Sequence, residues 1–298
     1  MQSPRARGIT LMIFAVAVFS VMDMCLKVLS THLGPLQMAT VRGSASLPFV
    51  LLVVIGRGRI RDLRMRRPAL HLLRGVLSVA MITTFSYAVS VMSLSTVYTL
   101  FMIAPLLVTA ISVPLLGERV RPGAWVAILV GLGGVLILLH PSTTGIHWLG
   151  ALASLSCAAC YTVSYVSARF LARTESSDSL VFWVLAMMAC ISAVLGAPFW
   201  QSVQPWMWGW IGVIGVTGAI AQQCITRAFM LAPASVIAPF EYTALVWGAI
   251  IDYLVWSTHP TLSMALGALL IVASGVYVML YGHGDPGDLK SGELEPHP

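Results

Sequence analysis

Ionisable residues embedded in apolar stretches are the first groups in this chain that could do chemistry. Asp23, Lys27, Arg42, Arg74, Arg227, Glu241 and Asp252 all lie inside runs of hydrophobic residues. A charge at the centre of a bilayer-crossing helix costs about 2.5–3.5 kcal/mol or more, so each needs a partner or a task. Asp23 and Lys27 stand four apart, which on a helix puts them on one face and lets them pair. Lys27 is also near enough to a span end to snorkel. Arg42 and Asp252 fall at comparable depth, either as part of a ring of charges touching headgroups or as the lining of a pathway. Arg227 closes one apolar run and Glu241 opens the next, at similar depth for a rise of about 1.5 Å per residue. A salt bridge between them would form a gate or tie two helices together. Arg74, beside a basic boundary, is expected only to orient the chain.

Neutral polar and aromatic groups supply the remaining candidates. Gln222 and Gln223 sit mid-run beside Cys224. Their amides offer donors and acceptors to a zwitterionic solute, or glue between helices. Tyr98, Tyr161 and Tyr165 present aromatic faces with hydroxyl tips, and Trp247 lies mid-run, where an interfacial belt does not account for it. The candidate substrate-contacting set is therefore Tyr98, Tyr161, Tyr165, Gln222, Gln223 and Trp247. Asp23, Lys27, Arg42, Arg227 and Glu241 are the candidate gating or pairing charges. No catalytic set accompanies them: the chain has no HExxH, no GxSxG and no GxxxxGK[ST] phosphate loop. An enzyme is not expected, and neither a metal nor a cofactor is implied. The CxxC of Cys157 and Cys160 lies in an apolar run, where it reads as a small-residue helix face rather than a redox pair.

The elements that must carry these residues follow from composition. Hydrophobic residues make up 58% of the 298 residues and charged residues 9%. Soluble domains carry about 25% charged residues. Apolar stretches of 18 residues or more recur, without the strict alternation of a membrane barrel, so backbone groups in lipid must be satisfied within helices. The spans are expected at about 8–31, 36–55, 70–90, 94–116, 123–140, 147–170, 180–200, 207–231, 235–256 and 261–281. The net charge of +6 points to membrane orientation rather than to nucleic acid, because the arginines crowd into alternate loops. Arg5 and Arg7 precede the first span, and Arg57, Arg59, Arg61, Arg64, Arg66 and Arg67 fill the second loop. Arg119 and Arg121 lie in the fourth, Arg173 in the sixth, and Lys290 in the tail. With positive loops inside, both termini are cytoplasmic.

A repeat runs through these spans. Gly8, Phe19 and Lys27 recur at the same spacing as Gly150, Tyr161 and Arg169, and Ala88 and Ser95 answer to Ala228 and Ser235. Each half then holds five spans, an odd number, so the second half enters the membrane inverted. The expected architecture is an all-α integral membrane protein of ten transmembrane helices. It comprises a cytoplasmic N-terminus (1–7), a first repeat (8–140), an inverted second repeat (147–281) and a disordered cytoplasmic tail (282–298). Gly209, Gly212, Gly215 and Gly218 form one close-packing face, and Gly123, Ala127 and Gly131 another that would equally support a homodimer. Pro105 and Pro239 occupy corresponding spans of the two halves, where each removes a backbone donor and kinks its helix.

Several runs resemble the drug/metabolite transporter superfamily, specifically its EamA-type ten-helix family. They are Ala104-Pro105-Leu106-Leu107, Leu116-Gly117-Glu118-Arg119, Gly131-Leu132-Gly133-Gly134-Val135 and Pro239-Phe240-Glu241-Tyr242-Thr243-Ala244-Leu245. Their order and spacing cover about Gly8 to Tyr281. One departure stands out: Trp256-Ser257-Thr258-His259 replaces the Gly-Glu that the family usually repeats after the ninth span. The resemblance implies transport of a small organic solute across a bacterial inner membrane by alternating access, through a cavity lined by the first, third, fourth, sixth, eighth and ninth helices. YddG-type amino-acid exporters are the comparison within the family, which makes export of aromatic or other neutral amino acids the expectation. A drug, cation or sugar derivative is the alternative substrate. Glu241 facing the cavity unpaired would favour cations, and a free Arg227 would favour anions.

Overall fold

A computed structural model describes residues 4–104, 106–107, 111, 122–138, 147–171, 174–231, 238–259 and 262–281. At Tyr165, Arg169 and Pro239 the backbone is described but not the side chain. Pro105, Gly117, Glu118, Arg119, Arg121, Arg173 and the tail from Gly282 lie outside the described residues.

The architecture is helical, with no strand among the described residues. In chain order the helices are α1 (Pro4–Leu29), α2 (Pro35–Gly56), α3 (Pro68–Val91), α4 (Leu94–Phe101) and α5 (Pro122–Leu138). They continue as α6 (Trp148–Leu171), α7 (Ser177–Gly196), α8 (Met207–Leu231), α9 (Thr243–Trp256) and α10 (Leu262–Tyr281). Local sequence accounts for several boundaries. Pro35 and Pro68 open α2 and α3, where a missing N–H is not needed. Ser93 and Ser176 cap α4 and α7 by accepting from the amides of Thr96 and Ser179, each at 3.2 Å. Ser257 ends α9 in the left-handed conformation, φ 52°, within the stretch that departs from the family's Gly-Glu.

Among the described residues, six helices are long and apolar enough to cross a membrane: Ala6–Leu29, Pro35–Gly56, Pro68–Val91, Trp148–Ala168, Ser177–Phe199 and Met207–Leu231. Helices α5 and α10 carry shorter apolar segments, Trp125–Gly134 and Ala265–Ser274. The fourth and ninth spans expected from sequence are not continuous α-helices over their described parts. Helix α4 gives way to a turn at Met102–Ile103, ahead of Pro105. The approach to α9 is a 3-10 turn, Ala238–Tyr242, built on Pro239. Proline withholds a backbone donor and disfavours helix in the residue before it, which is the local reason for both breaks.

The distribution of polarity is that of a protein in lipid. Outward-facing positions are apolar, as at Leu52 (64% exposed), Leu254 (73%) and Leu262 (77%). Ser46, Thr99, Ser154, Thr162 and Ser192 are fully enclosed. Helix α1 packs on α8, α3 on α6, α2 on α7 and α8, α3 on α7, α4 on α6 and α9, and α5 on α10. Small residues set the closest approaches. A Cβ at Gly215 would lie 2.5 Å from the Ala45 carbonyl oxygen, and one at Gly218 would lie 2.7 Å from Ser46 Oγ. Gly209 and Gly212, expected on the same face, have nothing within 4 Å of such a Cβ, so only half of that run is a packing seam. Gly123 and Gly131 meet Tyr277 and Ser274 of α10, so this face is used within the chain.

Candidate functional site

A cavity of about 240 Å³ lies between α1, α2, α3, α4, α6, α7, α8 and the 3-10 turn leading into α9. Helices α2 and α7 thus join the six expected to line it. Its wall carries four carboxylate or guanidinium side chains, Asp23, Arg42, Arg74 and Glu241, among aromatic and aliphatic side chains that include Phe19, Phe85, Phe101 and Phe229. Of the neutral candidates, Tyr98, Tyr161 and Gln222 also line it.

Both tyrosines hold a carboxylate. The Tyr98 hydroxyl donates to Asp23 Oδ2 at 2.7 Å, and the Tyr161 hydroxyl donates to Glu241 Oε1 at 2.9 Å. Tyr98 stacks on Phe85 with ring centroids 6.4 Å apart, and Tyr161 meets Phe101 edge-on at 5.2 Å. Tyr98 is buried rather than interfacial because its ring lies over Gly248 of α9, where a Cβ would come within 2.7 Å of it. Glu241 sits in the 3-10 turn, so the break at Pro239 is what presents it to the cavity. Irregular backbone at membrane depth is tolerated where it lines a cavity.

The charge pairs differ from the sequence expectation. Lys27 does not pair along its own helix with Asp23. Its Nζ lies 3.0 Å from Asp252 Oδ1 and 4.1 Å from the centre of the Trp256 ring. Asp252, 1% exposed, also accepts from the amides of Leu94 (3.1 Å) and Ser95 (2.6 Å) and from Ser95 Oγ (2.6 Å). It is therefore no headgroup contact. It is a buried carboxylate from α9 at the N-terminus of α4, where the helix dipole favours a negative charge, and it is locked to α1 through Lys27.

Arg227 and Glu241 do not meet either. The Arg227 guanidinium reaches Asp178 Oδ1 at 3.8 Å, and Arg57 approaches the same oxygen at 3.7 Å. Gln223 donates its amide to Asp178 as well, so it turns away from the cavity that its neighbour Gln222 lines. Trp247 is 36% exposed on α9 and is not part of the cavity wall.

Sequence reasoning missed the second fastening at this end. Glu175, just before α7, accepts from the amides of Arg66 (3.0 Å) and Arg67 (3.3 Å), from Ser179 Oγ (3.0 Å) and from His71 Nε2 (2.7 Å). Burial opposes the charged carboxylate, but the bonds from His71, the Arg66 amide and Ser179 outweigh it and hold its pKa below the ordinary value of 4.5. Trp183 Nε1 donates to the Leu63 carbonyl at 2.8 Å and completes the docking of the basic loop on α7. The signal available in sequence was the run Glu175-Ser176-Ser177-Asp178, a cap followed by a first-turn acid. Arg74, expected only to orient the chain, is 5% exposed on the cavity wall, with Nη1 3.4 Å from the Leu180 carbonyl.

The family comparison fits this arrangement. The EamA-like transporter family matches the chain twice, over residues 6–140 and 148–281. The chain belongs to that family. Among relatives of this EamA-like transporter is the S-adenosylmethionine uptake transporter of Rickettsia prowazekii. It is 24% identical over 272 residues, covering 91% of this chain and 92% of the relative. The pseudopaline exporter CntI of Pseudomonas aeruginosa PAO1 is 28% identical over 271 residues, covering 89% and 94%. A solved crystal structure superposes with a TM-score of 0.68 at 22% identity, covering 93% of this chain and 98% of that one, and shares the fold. The protein is thus an EamA-type transporter and a multi-pass membrane protein, whose named relatives carry small molecules.

Proposed function

We propose that this EamA-type protein is a secondary carrier for aromatic or other neutral amino acids across a bacterial inner membrane. It would work by alternating access between two inverted five-helix repeats, residues 8–140 and 147–281, in a ten-span fold. The observation that carries this reading is the composition of the cavity wall. Carboxylates, guanidinium groups, one amide and several aromatic rings converge there from both repeats. Such a wall has complements for both charges of a zwitterion and for an aromatic or aliphatic side chain.

The helix pairings support the inverted repeat. Exchanging each helix with the one five places on turns α1 on α8 into α6 on α3, and α2 on α8 into α7 on α3. The same exchange returns α2 on α7, α4 on α9 and α5 on α10 to themselves. The volume of about 240 Å³ supports a solute of amino-acid size. Sites for drug-sized ligands run to roughly 300–1,000 Å³. Export is the proposed direction, driven by solute or ion gradients; relatives are named for uptake as well as for export.

The test is accumulation of labelled aromatic, aliphatic and charged amino acids in proteoliposomes, with S-adenosylmethionine, a cationic drug and a sugar phosphate in the same panel. Uptake of one neutral class, competed by its unlabelled form, is expected. Uptake confined to S-adenosylmethionine, the drug or the sugar derivative would replace the amino-acid reading. Equal initial rates with and without a pH gradient would remove proton coupling.

A further inference from the structure

The four charges on the cavity wall are not equally satisfied. Glu241 accepts from Tyr161, and Arg74 reaches the Leu180 carbonyl and interacts with the charge of Glu175. Arg42 is different. It is 6% exposed, its Nε is enclosed without an acceptor, and its guanidinium has no carboxylate within ion-pair distance among the described residues. Its defined neighbour is the face of the Phe19 ring, 5.5 Å from Cζ. An arginine buried in an apolar bundle with its planar fork unfilled is costly, and a ligand carboxylate fits that fork in a bidentate manner.

A second group lines the same cavity. Asp23 reaches it from α1 and Arg42 from α2. Yet the two do not form a contact pair. The carboxylate of Asp23 is oriented by Tyr98, whose hydroxyl occupies Oδ2, while Oδ1 receives no hydrogen bond among the described residues. The one cavity wall therefore presents an unfilled cationic fork and an unfilled carboxylate oxygen, neither neutralising the other by direct contact.

We propose that Arg42 and Asp23 form the head-group subsite for an α-amino acid, Arg42 taking the carboxylate and Asp23 Oδ1 the ammonium group. Tyr98 acts as a positioning residue, holding Asp23 so that one oxygen stays open to the solute. The side chain of the solute then extends toward the aromatic residues Phe85 and Phe101 on the same wall. The assignment rests on the amino-acid reading above and names where and how that solute is held.

The experiment uses the full chain in detergent and in proteoliposomes with four probes that differ only at the head group. These are L-phenylalanine, its methyl ester, phenethylamine and 3-phenylpropionate. In the wild type, thermal stabilisation and competition with labelled L-phenylalanine should fall at least tenfold for each of the three analogues. In Arg42→Gln the preference for the acid over the ester should vanish. In Asp23→Asn the preference for the amino acid over 3-phenylpropionate should vanish, while the preference over the ester remains. Arg42→Lys should keep charge selectivity and bind several-fold more weakly, which covers the case in which the Gln variant does not fold. Equal competition by ester and acid on the wild type would overturn the assignment, and so would unchanged selectivity in folded Arg42→Gln. If no amino acid of the wider panel is carried by the wild type, the amino-acid reading falls and this assignment falls with it. Carriage with the wrong selectivity pattern overturns this assignment alone.

Discussion

Replacing Asp252 by Asn isolates the tie that joins α1, α4 and α9 at one end of the bundle. The carboxylate joins the C-terminal part of α1 through Lys27, the first turn of α4 through Leu94 and Ser95, and α9 through its own backbone. All of these lie at the end away from the arginine-rich loop of residues 57–67. Asn keeps the shape but removes the charge, and it turns an NH2 toward donors. Hydrogen bonds to a charged group are worth about 1.5–3 kcal/mol each. Because the four contacts share one carboxylate they do not add, and the loss of one partner from a buried pair sets the scale at about 3–5 kcal/mol. If these contacts exist only while this end is closed, the closed-to-open ratio falls by about two to three and a half orders of magnitude. Cys157 reports on it directly, since it lines the cavity and is 2% exposed. In a background with Ser at positions 25, 160, 190 and 224, an impermeant maleimide applied from the far side should label Cys157 slowly in the parent. With Asp252→Asn it should label at least tenfold faster. Unchanged labelling in a folded Asp252→Asn protein would refute the reasoning, because the tie would then hold helices together without closing the cavity.

Other substitutions probe different contacts. Gly248→Ala sets a methyl 2.7 Å from the Tyr98 ring and should displace it from Asp23. A cost of about 1–3 kcal/mol is expected, read as a lowered Tm together with reduced uptake. Glu175→Gln should destabilise the docked basic loop by about 1.5–3 kcal/mol at neutral pH, measured by thermal unfolding. The pKa of Glu175 is lower in the folded state, so its contribution is complete above the ordinary value of 4.5 and is lost as the pH falls through the lower folded value. The gap between wild type and Glu175→Gln should therefore close only below pH 4.5, and a constant gap down to that range and beyond would contradict the assignment. Arg57→Gln should cost no more than about 1 kcal/mol, because its side chain is 38% exposed and the ion pair spans 3.7 Å. A loss of several kcal/mol in unfolding measurements would mean that Asp178 depends on Arg57 alone.

Much of this protein is written in local composition. Long apolar runs with few charges require helices in lipid, because a bilayer offers the backbone no other hydrogen-bond partners. The prolines at 105 and 239 mark the broken fourth and ninth spans, since a missing N–H acts wherever the residue stands. The polar residues inside apolar runs also identify themselves one by one, because burial in hydrocarbon is costly for each alone. Their partners are another matter. The spacing of Asp23 and Lys27 along α1 permits a local pair, yet the carboxylate from α9 and the hydroxyl from α4 reach them at 3.0 and 2.7 Å. Counting residues along the spans puts Arg227 and Glu241 at similar depth, yet Asp178 and Tyr161 answer them. Gln222 and Gln223 look equivalent in sequence, but neighbours on a helix point about 100° apart, so one lines the cavity and the other reaches α7. Depth along a helix follows from residue number. The rotation of each helix about its own axis, which decides what a side chain faces, is set by how Gly43, Gly215, Gly218 and Gly248 let neighbouring helices seat against one another, and that exists only once the bundle is assembled.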